Sequence, residues 1–266
     1  MSRRLLPIVV LLAAVVAPGV AWATPRALPF SYPYATLGKG GLELEQFVDM
    51  TPVRGLDTTG ELRYAPLGIL TTELEYGLTD RLELALYIQL SENPASGTGE
   101  SALHFDGIKQ RLRLRLAEAG EWPIDVALYG ELAELRNELE VEAKIILEKR
   151  LGRLQVLVNL WAEHEFYYDG RREWVLHPTA GASFEITPAV HLGVEYWMHG
   201  EFGGGAPAGA FNPAPHHYAG PALLLLFNRF WWNIGPSIRL DALDRPTQLG
   251  DQFGRLWVRT IVGIDL

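Results

Sequence analysis

The chain has 266 residues, with 32 acidic against 23 Lys and Arg for a formal net charge of −9, and no cysteine. The lack of thiols excludes disulfides, Fe–S clusters and cysteine catalysis, and the acidic balance argues against nucleic acid as a partner, which needs clustered surface Lys and Arg. Apolar residues make up 48% of the chain, yet they are spread in alternation rather than gathered in the blocks of a globular core.

Arg3 and Arg4 precede an apolar run that starts at Leu5 and ends near Val16, and Ala21-Trp22-Ala23 carries the small-x-small spacing of a signal-peptidase site. The run is shorter than the roughly 20 residues of a spanning helix. Residues 1–23 are therefore expected to be a cleaved signal peptide, with the mature chain starting near Thr24. A Pro-rich stretch follows, residues 24–40 with Pro25, Pro29 and Pro33, expected as an irregular periplasmic lead-in.

From position 41 to 266 a two-residue rhythm takes over. Leu82, Leu84, Leu86, Ile88 and Leu90 alternate with Glu83, Ala85, Tyr87 and Gln89, and the last instance runs Val258, Thr260, Val262, Ile264, Leu266. A period of two puts alternate side chains on opposite faces of a strand. The rhythm predicts about twelve strands, near 41–49, 60–76, 82–91, 104–117, 123–135, 139–148, 154–166, 173–185, 190–200, 216–227, 230–240 and 254–266. Pro66, Pro178, Pro221 and Pro236 fall inside them and predict local breaks in pairing, because proline removes a ladder donor. Leu223 to Leu226 blurs the alternation.

The connections alternate in length. Gly77 to Arg81, Ala117 to Trp122, Lys149 to Arg153, Ile186 to Ala189 and Asn228-Arg229 are tight, whereas most of the others are longer and rich in Gly, Pro, Ser and Asp. Short periplasmic turns, longer external loops and an even strand number are the layout of an outer-membrane barrel. A single closed sheet of about twelve strands is also too wide for its own side chains to fill, so the oily face is expected to meet lipid. Aromatic residues near strand ends, including Phe184, Phe227, Phe230, Trp231 and Trp232 on one side and Phe166, Tyr167, Tyr168 and Trp174 on the other, read as interfacial girdles. The competing reading is a periplasmic β-sandwich.

If the oily faces point outward, the charged faces line the lumen. The expected lining includes Glu83, Lys109, Arg111, Arg113, Arg115, Asp125, Glu131, Glu140, Glu142, Glu163, Glu165, Glu195, Arg239, Arg255 and Arg259. The basic ladder of the fourth strand is expected to meet Glu83, Asp125 and Glu131 on its neighbours, and Arg255 and Arg259 to face Glu43 and Glu45. Such residues form a self-neutralising lattice, an acid-rich and weakly cation-preferring pore, or both at once. No catalytic residue, metal or cofactor is expected. His216-His217 with His199 and Glu201 lacks a fixed metal-ligand spacing, and His177, Thr179 and Ser183 show no oriented Ser–His–acid set.

The stretch Glu73-Leu-Glu-Tyr-Gly-Leu-Thr-Asp-Arg-Leu-Glu-Leu84 resembles a turn that recurs in the outer-membrane β-barrel transporters assigned to the MetA pathway of phenol degradation. Gly220-Pro221-Ala222 and the region around Arg229-Phe230-Trp231 look similar to that family's closing half. The resemblance implies outer-membrane passage of small, including aromatic, solutes and supplies no catalytic residue. The sequence thus points to an all-β, transmembrane antiparallel barrel acting as a passive channel through a charged, net-acidic lumen. Its partners would be outer-membrane lipids, the barrel-assembly machinery and small-molecule solutes. A structural barrel closed by its own ion pairs, with the lead-in as a plug, is the alternative, and an outer-membrane lipid hydrolase a more distant one.

Overall fold

A computed structural model describes residues 24–56, 62–92, 103–203, 211, 214–241 and 253–266; the expected signal peptide lies outside them. The described residues form one antiparallel sheet: β1 (Leu42–Leu56), β2 (Leu62–Gly77), β3 (Leu82–Glu92), β4 (Leu103–Arg115), β5 (Asp125–Leu135), β6 (Glu138–Leu151), β7 (Leu154–Tyr167), β8 (Arg172–Leu176), β9 (Thr179–Thr187), β10 (Val190–Gly203), β11 (His216–Leu226), β12 (Phe230–Arg239) and β13 (Leu256–Asp265). Each pairs with its sequence neighbour, and β13 returns to β1 from Glu43↔Asp265 to Met50↔Val258, so the sheet closes. β8 and β9 share both neighbours, β7 and β10, in continuous register, and together make one stave. The result is a closed barrel of twelve staves.

The prolines act according to where their missing N–H would have pointed. His177-Pro178 divides β8 from β9. Pro221 and Pro236 face one another across β11 and β12, where the register lapses between Ala219↔Ile238 and Leu223↔Ile234. The Phe227 N–H bonds Phe230 O in the same ladder, so by alternation the two prolines share a position where both donors are required. No break occurs at Pro66. It pairs with Pro52 in a continuous β1–β2 ladder, beyond Met50↔Val258 and Gly68↔Glu92, where the outer neighbours have stopped pairing. That continuity also carries β1 on to Leu56, seven residues past its expected end.

Alternation decides the two faces. On β5, Asp125, Ala127, Tyr129, Glu131 and Ala133 are buried within the barrel while Leu128 and Leu132 are exposed. Around the exterior Leu86, Ile88, Leu112, Ile145, Leu160, Leu192 and Val194 stand exposed, Val194 at 64%. Inside, Glu43, Glu45, Glu73, Glu75 and Glu83 are at 0%. Apolar surface outward and carboxylates inward is the arrangement lipid requires, and the protein is an outer-membrane β-barrel. One expected girdle residue belongs elsewhere: Trp231 is 1% exposed and donates its indole N–H to Glu43 inside, because it shares parity with the inward Asn233. Phe227, Phe184, Tyr168 and Trp174 are exposed at the strand ends.

Twelve staves enclose more space than their own side chains fill. The chain fills it with its lead-in. Residues expected to lie in the periplasm run inside the barrel, with Thr24, Arg26, Ala27, Leu28, Phe30, Ser31, Tyr32, Tyr34 and Leu37 all buried.

Candidate functional site

The lead-in forms a strap in the half of the bore nearer the short turns. Its three prolines keep it from joining a ladder, so its N–H groups have no strand to bond, and buried backbone donors must be satisfied. The wall supplies them singly. Glu43 accepts from Thr24 N at 3.0 Å and Glu195 from Phe30 and Ser31 N at 3.0 and 2.7 Å; Asn159 takes Tyr32 N at 2.7 Å, Glu148 Tyr34 N at 2.9 Å and Glu83 Leu37 N at 2.7 Å. Asn159 and Asn233 donate in return to the carbonyls of Tyr32 and Arg26. Side chains pack the strap against the wall. Leu28 packs with Leu157 and Ala222, Phe30 stacks on Trp197 at 4.6 Å, and Ala27 joins Phe47, Leu224, Trp231 and Ile261. The inward Leu224 explains the blurred leucine run.

Beneath the strap the charges form one buried network. Arg26 reaches Glu45 at 2.9 Å, Glu73 at 3.0 Å and Glu75 at 3.5 Å, with its guanidinium 3.8 Å from the Tyr32 ring. Arg111 meets Glu73 at 2.5 Å, Glu83 at 2.6 Å and Glu75, while Arg113 meets Glu83 at 2.8 Å. Glu83, Arg111 and Arg113 are thus brought together as partners across β2, β3 and β4. Arg115 sits at the rim with Thr36, Asp80 O and Glu118. Asp125 is not part of the ladder; it accepts from Gly120 N in the adjoining turn.

A second group lies farther along the bore, on β4 to β7. Lys109 bridges Glu131 at 3.4 Å and Glu140 at 3.3 Å, and Lys144 meets Glu142 at 2.6 Å. Carboxylate oxygens of Glu140, Glu163 and Glu165 lie within 4.8 Å of one another, a spacing a cation could bridge; Glu43, Glu45 and Glu75 show the same spacing. The opposite wall is aromatic. Trp197 stacks on Tyr218 at 4.0 Å, Trp257 edges both, and Phe253 covers His199 and His216.

Two expectations about charge need correction. Arg259 pairs with Asp49 at 2.8 Å, not with Glu43 or Glu45, because β1 extends past Asp49 and the register sets Glu45 opposite Gly263. Arg255 precedes β13 and is exposed at the rim, where its carbonyl accepts from Arg239 N. Arg239 lies deeper, bonded to Asp241 and to Phe253 O. Three of the histidines gather on the inward face: His199 and His216 are register partners across β10 and β11 beneath Phe253, and His177 lies against His199. His199 contacts His177 and Glu201, and His216 contacts Asp241, while His217 on the opposite face meets Tyr196. The Thr179 hydroxyl is engaged by Ser31 at 2.7 Å.

Sequence reasoning missed Arg26, Tyr32 and Tyr34, because the strap has no periodicity. The available signal was the acid surplus: five buried wall carboxylates around Arg111 and Arg113 require a further cation.

Comparison with known proteins gives fold neighbours only. No protein-family model matches the chain, and no curated protein matches it. The COG4313 outer membrane channel from Pseudomonas putida F1 is similar over 88% of this chain and 98% of its own, with a TM-score of 0.62 at 13% identity. The translocator domain of autotransporter NalP from Neisseria meningitidis is similar over 86% and 89%, with a TM-score of 0.50 at 12% identity. At these identities the likeness is one of fold, and it places the chain among the outer-membrane β-barrels.

Proposed function

We propose that the protein is a passive outer-membrane channel for small solutes, closed at rest by its own strap, with its short turns in the periplasm. The observation that carries this reading is the nature of the seal. The strap is held inside by side chains, whereas every stave pairs with another stave, so the strap can leave without breaking the barrel. A neighbour in fold is itself described as an outer membrane channel. The lumen-lining Glu131, Glu140, Glu142, Glu163 and Glu165 outnumber Lys109 and Lys144 around them, which favours cations over anions once the bore is hydrated. The aromatic wall of Trp197, Tyr218 and Trp257 offers stacking surface to ring-bearing solutes. This agrees with the resemblance to MetA-pathway transporters. No residue is assigned a catalytic role.

A filled bore also favours a second reading, a structural barrel whose ion pairs and strap never open. Swelling of proteoliposomes in sugars, amines and phenols of graded size separates the two. Faster swelling when residues 24–36 are removed supports the channel. Impermeability of both forms, with the barrel intact, supports the structural barrel.

A further inference from the structure

We infer that the bore contains a binding site for the protein's own mature N-terminus, the free α-ammonium group of Thr24 released by cleavage after Ala23. Thr24 is 5% exposed, and its nitrogen lies 3.0 Å from Glu43 Oε2. Its hydroxyl lies 3.2 Å from the same oxygen and 3.4 Å from Glu75 Oε2. Both carboxylates are fully buried, and Glu43 is held from its other side by the Trp231 indole.

Charge and valence point the same way. Glu43, Glu45, Glu73, Glu75 and Glu83 share this end of the bore with Arg26, Arg111 and Arg113. No ion pair to an arginine or lysine is formed by Glu43, the carboxylate nearest Thr24, among the described residues. As an amide, the Thr24 nitrogen has one proton to donate and no charge. As an ammonium it has three and a positive charge, which turns the 3.0 Å contact into an ion pair. A buried carboxylate without a counter-charge is expensive, so the network is completed by the group that proteolysis creates. Ala21-Trp22-Ala23 ends immediately before Thr24. Processing and strap closure are thereby linked: cleavage turns the neutral contact at the strap's first residue into a charged one.

The test uses the barrel exported and purified from membranes, with intact mass to read its first residue and an α-amine-selective aldehyde to read its accessibility. The expected result is a chain beginning at Thr24 whose amine labels at least about tenfold more slowly folded than unfolded. Glu43→Gln is expected to remove most of that protection. If this variant does not fold, as judged by heat-modified mobility, a chain refolded with Gly-Ser ahead of Thr24 serves instead. Its displaced amine is expected to label at the unfolded rate while every wall residue is retained. A mature start elsewhere overturns the inference, and so does a Thr24 amine that labels equally fast folded and unfolded.

Discussion

Arg26→Ala is the sharpest perturbation of the seal. In the closed bore Arg26 is 2% exposed and touches Glu45, Glu73 and Glu75. Arg111 continues to neutralise Glu73 and Glu75 after the change. Glu45 has no other basic partner among the described residues, so the loss falls mainly on it. Leaving one buried charge without its partner costs about 3–5 kcal/mol, and in the open bore the same carboxylate is hydrated at no such cost. The closed-to-open ratio should therefore fall by roughly two to three and a half decades, taking about 1.4 kcal/mol per decade. Single-channel recording in planar bilayers reads this as open time. Wild-type protein should be closed for nearly all of the record, Arg26→Ala open for much of it, and Arg26→Lys between them. An Arg26→Ala barrel with unchanged heat-modified mobility and wild-type open time would refute the reasoning.

Other consequences can be measured separately. Leu86→Arg places a charge on an exterior site that is 52% exposed, and it should cost about 2–4 kcal/mol in a folding titration into liposomes if that site is near the midplane; no effect would contradict the lipid-facing assignment. Pro236→Val restores one donor toward β11, and should raise the unfolding midpoint by a stability increment of about 0.5–1.5 kcal/mol. An unchanged or lowered midpoint would show that the ladder there is broken for another reason. A Cβ at Gly263 would come within 2.1 Å of Trp231 Nε1, so Gly263→Ala should displace the indole from Glu43 and change its fluorescence. Glu140→Gln with Glu163→Gln should shift the reversal potential of the Arg26→Ala channel toward weaker cation preference in a salt gradient; an unchanged potential would remove this wall from selectivity.

The wall of the barrel was legible because lipid and bore impose the same period of two on every stave. The bounds of β3, Leu82–Glu92, could be read to within a residue from that rhythm alone. Where reading failed, the cause was local. Pro52 looked like a loop residue, yet at its ladder position the donor it lacks has no neighbour to serve. Trp231 looked like a girdle residue because its strand begins with three aromatics, and only register decides that the middle one faces inward. The strap was legible only as the alternative in which the lead-in plugs the barrel, and none of its contacts could be read. Its partners lie far away in sequence, Glu195 being 165 residues from Phe30, and its prolines carry no period.

The central claim is that a movable strap closes an otherwise passable bore. The most direct measurement exploits the absence of native cysteine. Ser31 and Thr179 have hydroxyl oxygens 2.7 Å apart, so cysteines there are well placed for a bond of about 2.0 Å joining strap to wall. In Arg26→Ala protein carrying Ser31→Cys and Thr179→Cys, current across a planar bilayer should be absent when oxidised and appear when a reductant is added to the same membrane. Current that ignores the reductant, with the disulfide confirmed by mass, would contradict closure by the strap.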